Sequence, residues 1–219
     1  MTKDDVLAAL GTVYDPELDE PITALRFVAS CEVADSGAVD VRLRLPTPQC
    51  APNFAFLMAT DARDAVRTVP GVGAVSVVLE DHYTGTEINT AVAGDGSFGD
   101  AFPGEVEGEL DALRTLFRRK ALVARQGRLL ETVADPSAVR LGDLEGPDAD
   151  RCRELRGELG IDASDGAPAF VRGDGTPVPA AELARFARMA SLTATSLEAN
   201  GGVCRSLLQV RYGIEEVAA

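Results

Sequence analysis

The chain has 219 residues, 46% of them hydrophobic and 26% charged, with a formal net charge of −14 and a pI near 4.5. That balance supports a packed core over global disorder, and the length suits two modest domains. The acidity excludes nucleic acid as a partner and disfavours an anionic membrane surface, because the one basic cluster, Arg118-Arg119-Lys120, is too small to bind either.

From the N-terminus, Thr2 followed three residues later by Asp5 reads as a capping box with Asp in place of Glu. Val6, Ala9, Leu10 and Val13 keep helical spacing, so a helix is predicted that ends before Asp15-Pro16. A strand is predicted over 26–34, with Phe27, Ala29, Cys31 and Val33 on one face. The Asp35-Ser36-Gly37 turn leads into a second strand over 38–45, where Val39, Val41, Leu43 and Leu45 alternate with Asp40, Arg42 and Arg44. Pro46-Thr47-Pro48 ends that strand, a helix over 52–69 carries an apolar stripe from Phe54 to Val69, and a third strand is predicted over 73–80. The resulting α-β-β-α-β order fills residues 1–92.

Residues 93–104, rich in Gly and Asp, read as a linker or exposed loop. Residues 105–219 read as a mainly helical C-terminal domain, so the fold class is α+β. Its predicted helices cover 105–126, with Val106, Leu110, Leu113, Phe117 and Ala121 in register, and 148–159, ending at Gly160. A minimal hairpin is predicted around Gly173-Asp174-Gly175 and a long helix over 180–199. Asn200-Gly201-Gly202 reads as a break before a last helix carrying Cys204. The acidic groups Glu105/Glu107/Glu109 and Glu215/Glu216 read as solvated helix ends.

No apolar run approaches the roughly 18 residues a membrane helix needs. The opening Met1-Thr2-Lys3-Asp4-Asp5 lacks the basic-then-apolar order of a signal peptide, so a cytoplasmic protein is expected. The four cysteines, Cys31, Cys50, Cys152 and Cys204, form no Cys-x-x-Cys pair and are expected as free thiols in a reducing compartment. One histidine, His82, rules out a His₂ or His₃ zinc site built by a single chain.

The segment Thr47-Pro48-Gln49-Cys50-Ala51-Pro52 joins a well-patterned strand to a well-patterned helix. A thiol at a helix N-terminus is expected to ionise early and to act as a soft metal ligand. Position alone leaves a second reading, a small apolar side chain filling a gap. Cys31 reads as a core thiol and Cys152 as incidental. Cys204, beside Arg205, admits both a ligand and a core reading, and so does His82 between a metal ligand and a turn residue.

Three stretches in order carry a family resemblance: Asp15-Pro16-Glu17-Leu18 with Pro21-Ile22 and Leu25-Arg26-Phe27-Val28, then Thr47-Pro48-Gln49-Cys50-Ala51-Pro52, then Val69-Pro70-Gly71-Val72. Residues 1–92 resemble the PaaD/SufT-like domain of iron–sulfur assembly proteins. The resemblance implies that Cys50 is the functional residue of the Thr-Pro-x-Cys loop, with Thr47 in that loop and Asp15 and Glu17 near it. Two departures, Leu25-Arg26-Phe27 where the family shows Leu-Gly-Leu or Leu-Gly-Ile, and Ala51 between Cys50 and Pro52, bear on the partner surface rather than the fold.

The function expected from this resemblance is a metallocentre maturation factor that transiently handles iron or an iron–sulfur cluster. Its metal-site candidates are Cys50, Cys204 and His82. Its expected partners are assembly machinery or a client metalloenzyme, and the resemblance points to a soluble di-iron monooxygenase as client. The alternatives are a metal-independent adaptor and, third, a Cys- or iron-dependent enzyme. One thiol cannot close a four-thiolate cluster site, so a cluster at Cys50 needs a second residue such as Cys204, a homodimer or an exogenous thiol.

Overall fold

The computed structural model describes residues 1–104 and 108–213, and it divides into two compact units, Met1–Leu110 with Gly201–Ala219, and Asp111–Asn200. The expected Val106, Glu105, Glu107, Glu215 and Glu216 lie outside the described residues.

In the first unit, α1 (Lys3–Leu10) starts on the predicted capping box: Thr2 Oγ1 accepts from the Asp5 amide at 3.2 Å and the Thr2 amide donates to Asp5 Oδ2 at 2.6 Å. The helix stops at Gly11, and Tyr14–Asp15 (β1) pairs antiparallel with Glu20–Pro21 (β2). β3 (Val28–Val33) and β4 (Val39–Arg44) form the predicted hairpin, with a register irregularity between Val28 and Ser30. α2 (Pro52–Arg67) then crosses over to β5 (Val75–Glu80), which pairs parallel to β4, giving the sheet order β3-β4-β5.

The alternation in β4 decides which face of the sheet is covered. Val39, Val41 and Leu43 are buried beneath the helices, whereas Arg42 lies on the open face and bridges Asp40 and Glu80. α2 buries Ala55, Met58, Ala59, Ala62 and Val66 in the same core as Val6, Leu10, Val41 and Leu79.

Two expectations are corrected here. The stretch after β5 is helical: α3 (Gly85–Ala93) buries Ile88, Ala91 and Val92, and α4 (Phe98–Ala101) has its own Ser97/Asp100 capping box. Phe98 stacks edge-on to Phe56 at 5.4 Å and Ala101 is buried, so the centre of the stretch 93–104 packs on the unit, while most of its other residues are exposed.

The second correction concerns the long helix. α7 (Leu183–Tyr212) runs unbroken through Asn200-Gly201-Gly202. A Cβ on the buried Gly201 would stand 2.9 Å from Glu20 Oε1. The glycine serves close approach, not helix termination, and the last three turns of α7 belong to the first unit. Leu208 is buried in that unit's core, Arg205 pairs with Glu20 at 2.8 Å, Tyr212 donates to Asp81 at 2.9 Å, and Arg211 also pairs with Asp81.

The second unit contains most of α5 (Glu109–Thr132), α6 (Pro147–Leu159) and the first half of α7. α6 ends as predicted at Gly160, which takes the left-handed conformation at φ 67°. The predicted hairpin is reduced to one bridge, Val171 with Pro177. Two buried polar side chains fasten this loop region. Gln126 accepts from the Val171 amide at 2.7 Å and donates back to its carbonyl at 3.1 Å, and Arg156 donates to the Ala169 carbonyl at 2.6 Å.

In this unit α5 and α7 touch backbone to backbone at Gly127, where a Cβ would meet the Ala190 carbonyl carbon at 2.7 Å. Helix propensity favours Ala over Gly by about 1 kcal/mol, but no side chain can yield at this contact. Gly127→Ala is therefore expected to destabilise the second unit by about 1–2 kcal/mol net, measured by urea unfolding; equal or greater stability would refute the close-approach account.

Candidate functional site

Cys50 lies where β4 hands over to α2. Leu43 and Leu45 anchor the end of β4 in the core, Pro46 stops the ladder, and the loop closes on itself. Thr47 Oγ1 accepts from the Gln49 amide at 3.2 Å, and the Cys50 amide donates to the Thr47 carbonyl at 3.4 Å. The Thr47 hydroxyl points at the Cys50 sulfur, 4.0 Å away. Cys50 itself is half-buried.

The loop after β5 clamps this turn from the other side. Tyr83 donates its amide to the Pro48 carbonyl at 3.1 Å, and His82 Nε2 lies 2.8 Å from the Cys50 carbonyl. The Thr84 amide points at His82 Nδ1 at 3.3 Å, which makes Nδ1 the acceptor and assigns the ring proton to Nε2, the donor to Cys50. Both ring nitrogens are thus occupied by protein. His82 stands beside Cys50 as a brace on its backbone, the turn role that the sequence left open next to a ligand role.

Asp15, Glu17 and Cys204 complete the neighbourhood. Asp15 is buried, and its Oδ1 accepts from the Glu17 and Leu18 amides at 2.8 and 2.9 Å. Burial raises its carboxyl to about 6 against the lowering effect of those two bonds, and Glu17 and Glu20 push the same way as burial. Cys204 is brought in by the last turns of α7. It is half-buried on the same core as Cys50, and Asp15, Cys50 and Glu17 all act on its charge.

The expectation of an early-ionising Cys50 is corrected. Burial raises its thiol first, the Thr47 hydrogen bonds lower it, and the Asp15 and Glu17 carboxylates raise it again. The helix cannot offset this, because Cys50 precedes the N-cap Ala51 and Pro52 at N1 has no N–H to offer. Cys204 is pushed further, to about 11, by burial, Asp15, Cys50 and Glu17, against Arg205. Both are thiols at neutral pH. Cys31 is buried in the first unit, as expected, and Cys152, read from the sequence as incidental, is buried in the core of the second. Among the described residues, no three His, Cys, Asp or Glu side chains converge as a ready-made metal site, and no helix is long and apolar enough to cross a membrane.

Residues 3–77 match a family described as iron–sulfur cluster assembly protein, a span that contains Asp15, Glu17, Thr47 and Cys50 but neither His82 nor Cys204. An uncharacterized protein of Methanocaldococcus jannaschii, MJ1129, is 38% identical over 89 residues, 41% of this chain and 92% of its own length. A Porphyromonas gingivalis protein named Fe-S protein maturation auxiliary factor is 35% identical over 78 residues, 36% of this chain and 72% of that protein. The iron-sulfur cluster carrier protein of Mycobacterium tuberculosis is 38% identical over 93 residues, so the chain spans about a quarter (24%) of that carrier's length. No solved structure matches the chain.

Two outcomes follow from the electrostatics. Because the folded carboxyl of Asp15 titrates near 6 and the unfolded one near 3.8, the folded state holds the extra proton between those values. Stability is lost as pH rises from about 4 to 6, by up to about 3 kcal/mol. Asp15→Asn keeps an acceptor for both amides and should remove this loss, so its advantage in urea unfolding should grow across that window and stay flat above it; an advantage independent of pH contradicts the assignment. Alkylation of Cys50 by iodoacetamide in a Cys204→Ser background should have a midpoint above that of an ordinary thiol. A midpoint below about 8 would restore the early-ionising reading.

Proposed function

The chain belongs to the iron–sulfur cluster assembly protein family through its N-terminal unit, and from that premise we propose that it is a maturation factor handling iron or a nascent iron–sulfur cluster through Cys50. The observation that carries this reading is the half-buried Cys50 thiol, held in a fixed turn by Thr47 and His82, with the Cys204 thiol and the Asp15 and Glu17 carboxylates around it. Thiolate sulfur is the soft ligand that iron and its clusters take.

The chemistry suits cargo rather than a resident cofactor. Each thiol keeps its proton when the site is empty, so it reacts slowly with oxidants and electrophiles. An arriving cation displaces that proton, and the bond it forms is correspondingly weaker at low pH. Glu17, half-buried and acting on the charge of both thiols, adds negative charge that favours a cation such as ferrous iron. In this reading the protein is cytoplasmic, passes cargo between assembly machinery and a client metalloenzyme, and performs no turnover alone. A soluble di-iron monooxygenase is the proposed client, and the second unit is the proposed client grip.

Anaerobic reconstitution with ferrous iron and sulfide tests this. The wild type should gain visible iron–sulfur absorption and retain iron through gel filtration, and Cys50→Ser should lose most of both. Equal iron in the two proteins overturns the role of Cys50. A client that binds both iron-free proteins equally well would make the chain a metal-independent adaptor.

A further inference from the structure

We propose that the second unit carries a binding site for a small amphipathic carboxylate, its anionic head held by arginines and its hydrocarbon body laid in a cleft between α5, the loop over 172–178 and the start of α7. The site stands apart from Cys50. All of its residues lie within 111–200, outside the stretch that matches the assembly family.

The cleft has a volume of about 400 Å³, and small-molecule sites commonly measure roughly 300–1,000 Å³. Val123 of α5, Val178 of the loop, and Phe186 and Met189 of α7 supply its apolar lining. Phe186 and Met189 are three residues apart on one helix, so they share a face. Phe186 is buried and Met189 is 50% exposed, so the apolar wall continues from the interior to solvent. A hydrocarbon body laid along that wall would remove it from water.

Charge selects the head group. The same cleft is lined by Arg172, Arg185 and Glu182. Arg172 is paired with Glu182 at 2.6 Å, whereas Arg185 has no acidic partner among the described residues. Arg119 reaches the same wall: a Cβ on Gly173, which lines the cleft, would meet Arg119 Cβ, Cγ and Cδ at 3.1, 3.4 and 3.7 Å. The arginine stem therefore lies along the glycine, and Arg119 also lacks an acidic partner among the described residues. Three guanidinium groups against one carboxylate leave an excess of positive charge around the cleft. The wider setting allows an anion here. Residues 111–200 hold 13 of the 21 basic and 14 of the 35 acidic residues, a balance of −1, so −13 of the net −14 falls in the rest of the chain. A guanidinium takes a carboxylate through two parallel hydrogen bonds. An alcohol with the same body offers no charge to these arginines, and an amine is repelled by them.

Octanoate is the probe, and NMR of the full chain carrying labelled methionine methyl groups is the readout. Three methionines separate the outcomes: Met189 lines the cleft, Met58 is buried in the core of the first unit, and Met1 is the first residue. Octanoate should move the Met189 signal saturably and leave that of Met58 in place. Octanol and octylamine should need concentrations at least about tenfold higher, the scale of a hydrogen-bonded charge. Arg185→Ala should weaken octanoate by about tenfold. Glu182→Gln, which removes the one carboxylate of the cleft and frees Arg172, should tighten it several-fold. Both substitutions fall at exposed positions, so the far-UV spectrum should not change. The absence of a saturable Met189 shift overturns the site. An equal response to octanol, or a wild-type affinity in either variant, overturns recognition by the arginines. None of these outcomes bears on iron uptake at Cys50.

Discussion

The ion pair between Arg205 and Glu20, with Leu208 sunk into the core beside it, is the contact on which the site's composition depends. Without it the first unit would be a family-type module with one thiol in a turn. With it, a helix from the far end of the chain is pinned across β2 and carries a second thiol up to the first. The pair is partly exposed, and such pairs contribute only about 0–1 kcal/mol. Burial of Leu208, at about 1.5–3 kcal/mol, supplies more of the hold. The ion pair contributes register: it fixes which turn of α7 faces Glu20, and hence that Cys204 rather than its neighbours points inward. Gly201 belongs to the same device, since a side chain there would have to displace the Glu20 carboxylate.

The chemistry of Cys50 is set by distant residues rather than by the helix it precedes. Its loop is fixed by local bonds to Thr47 and by His82 from beyond β5, so the sulfur has a defined place. Its protonation answers to burial and to Asp15 and Glu17, which arrive through the β1–β2 turn. The result is a placed but unreactive thiol. A permanently ionised cysteine would bind more tightly and oxidise more readily. A protonated one at the same place gives up its proton only when a ligand or electrophile takes it.

The features legible in the sequence were those with local signals. The Thr2/Asp5 cap, the alternation from Val39 to Leu45, the amphipathic stripe of α2 and the Gly160 terminus each follow from spacing within a few residues, and all stand in the structure. Cys50 was legible because proline-bounded loops between such elements are conspicuous. What escaped was set by contacts distant in sequence. Gly201-Gly202 has the composition of a break, and only the approach of Glu20 explains why a helix passes through it. The stretch 93–104 has the composition of a linker, yet Phe98, flanked by Phe102, ties its centre to Phe56. The spacing of Ile88, Ala91 and Val92 was a readable helix signal in α3 that the adjoining glycines obscured. The raised thiols were not legible, because the burial that raises them comes from tertiary packing, and the Asp15 and Glu17 carboxylates that add to it are distant from both cysteines in the chain.

The contact between Arg205 and Glu20 closes a loop of 185 residues, so the first unit is assembled from the two ends of the chain. Synthesis from the N-terminus can build the sheet and seat Cys50 well before α7 leaves the ribosome. During that interval the module presents one thiol, and its core lacks Leu208. The order of emergence thus brings Cys204 to the first unit only after the module that holds Cys50 has been made.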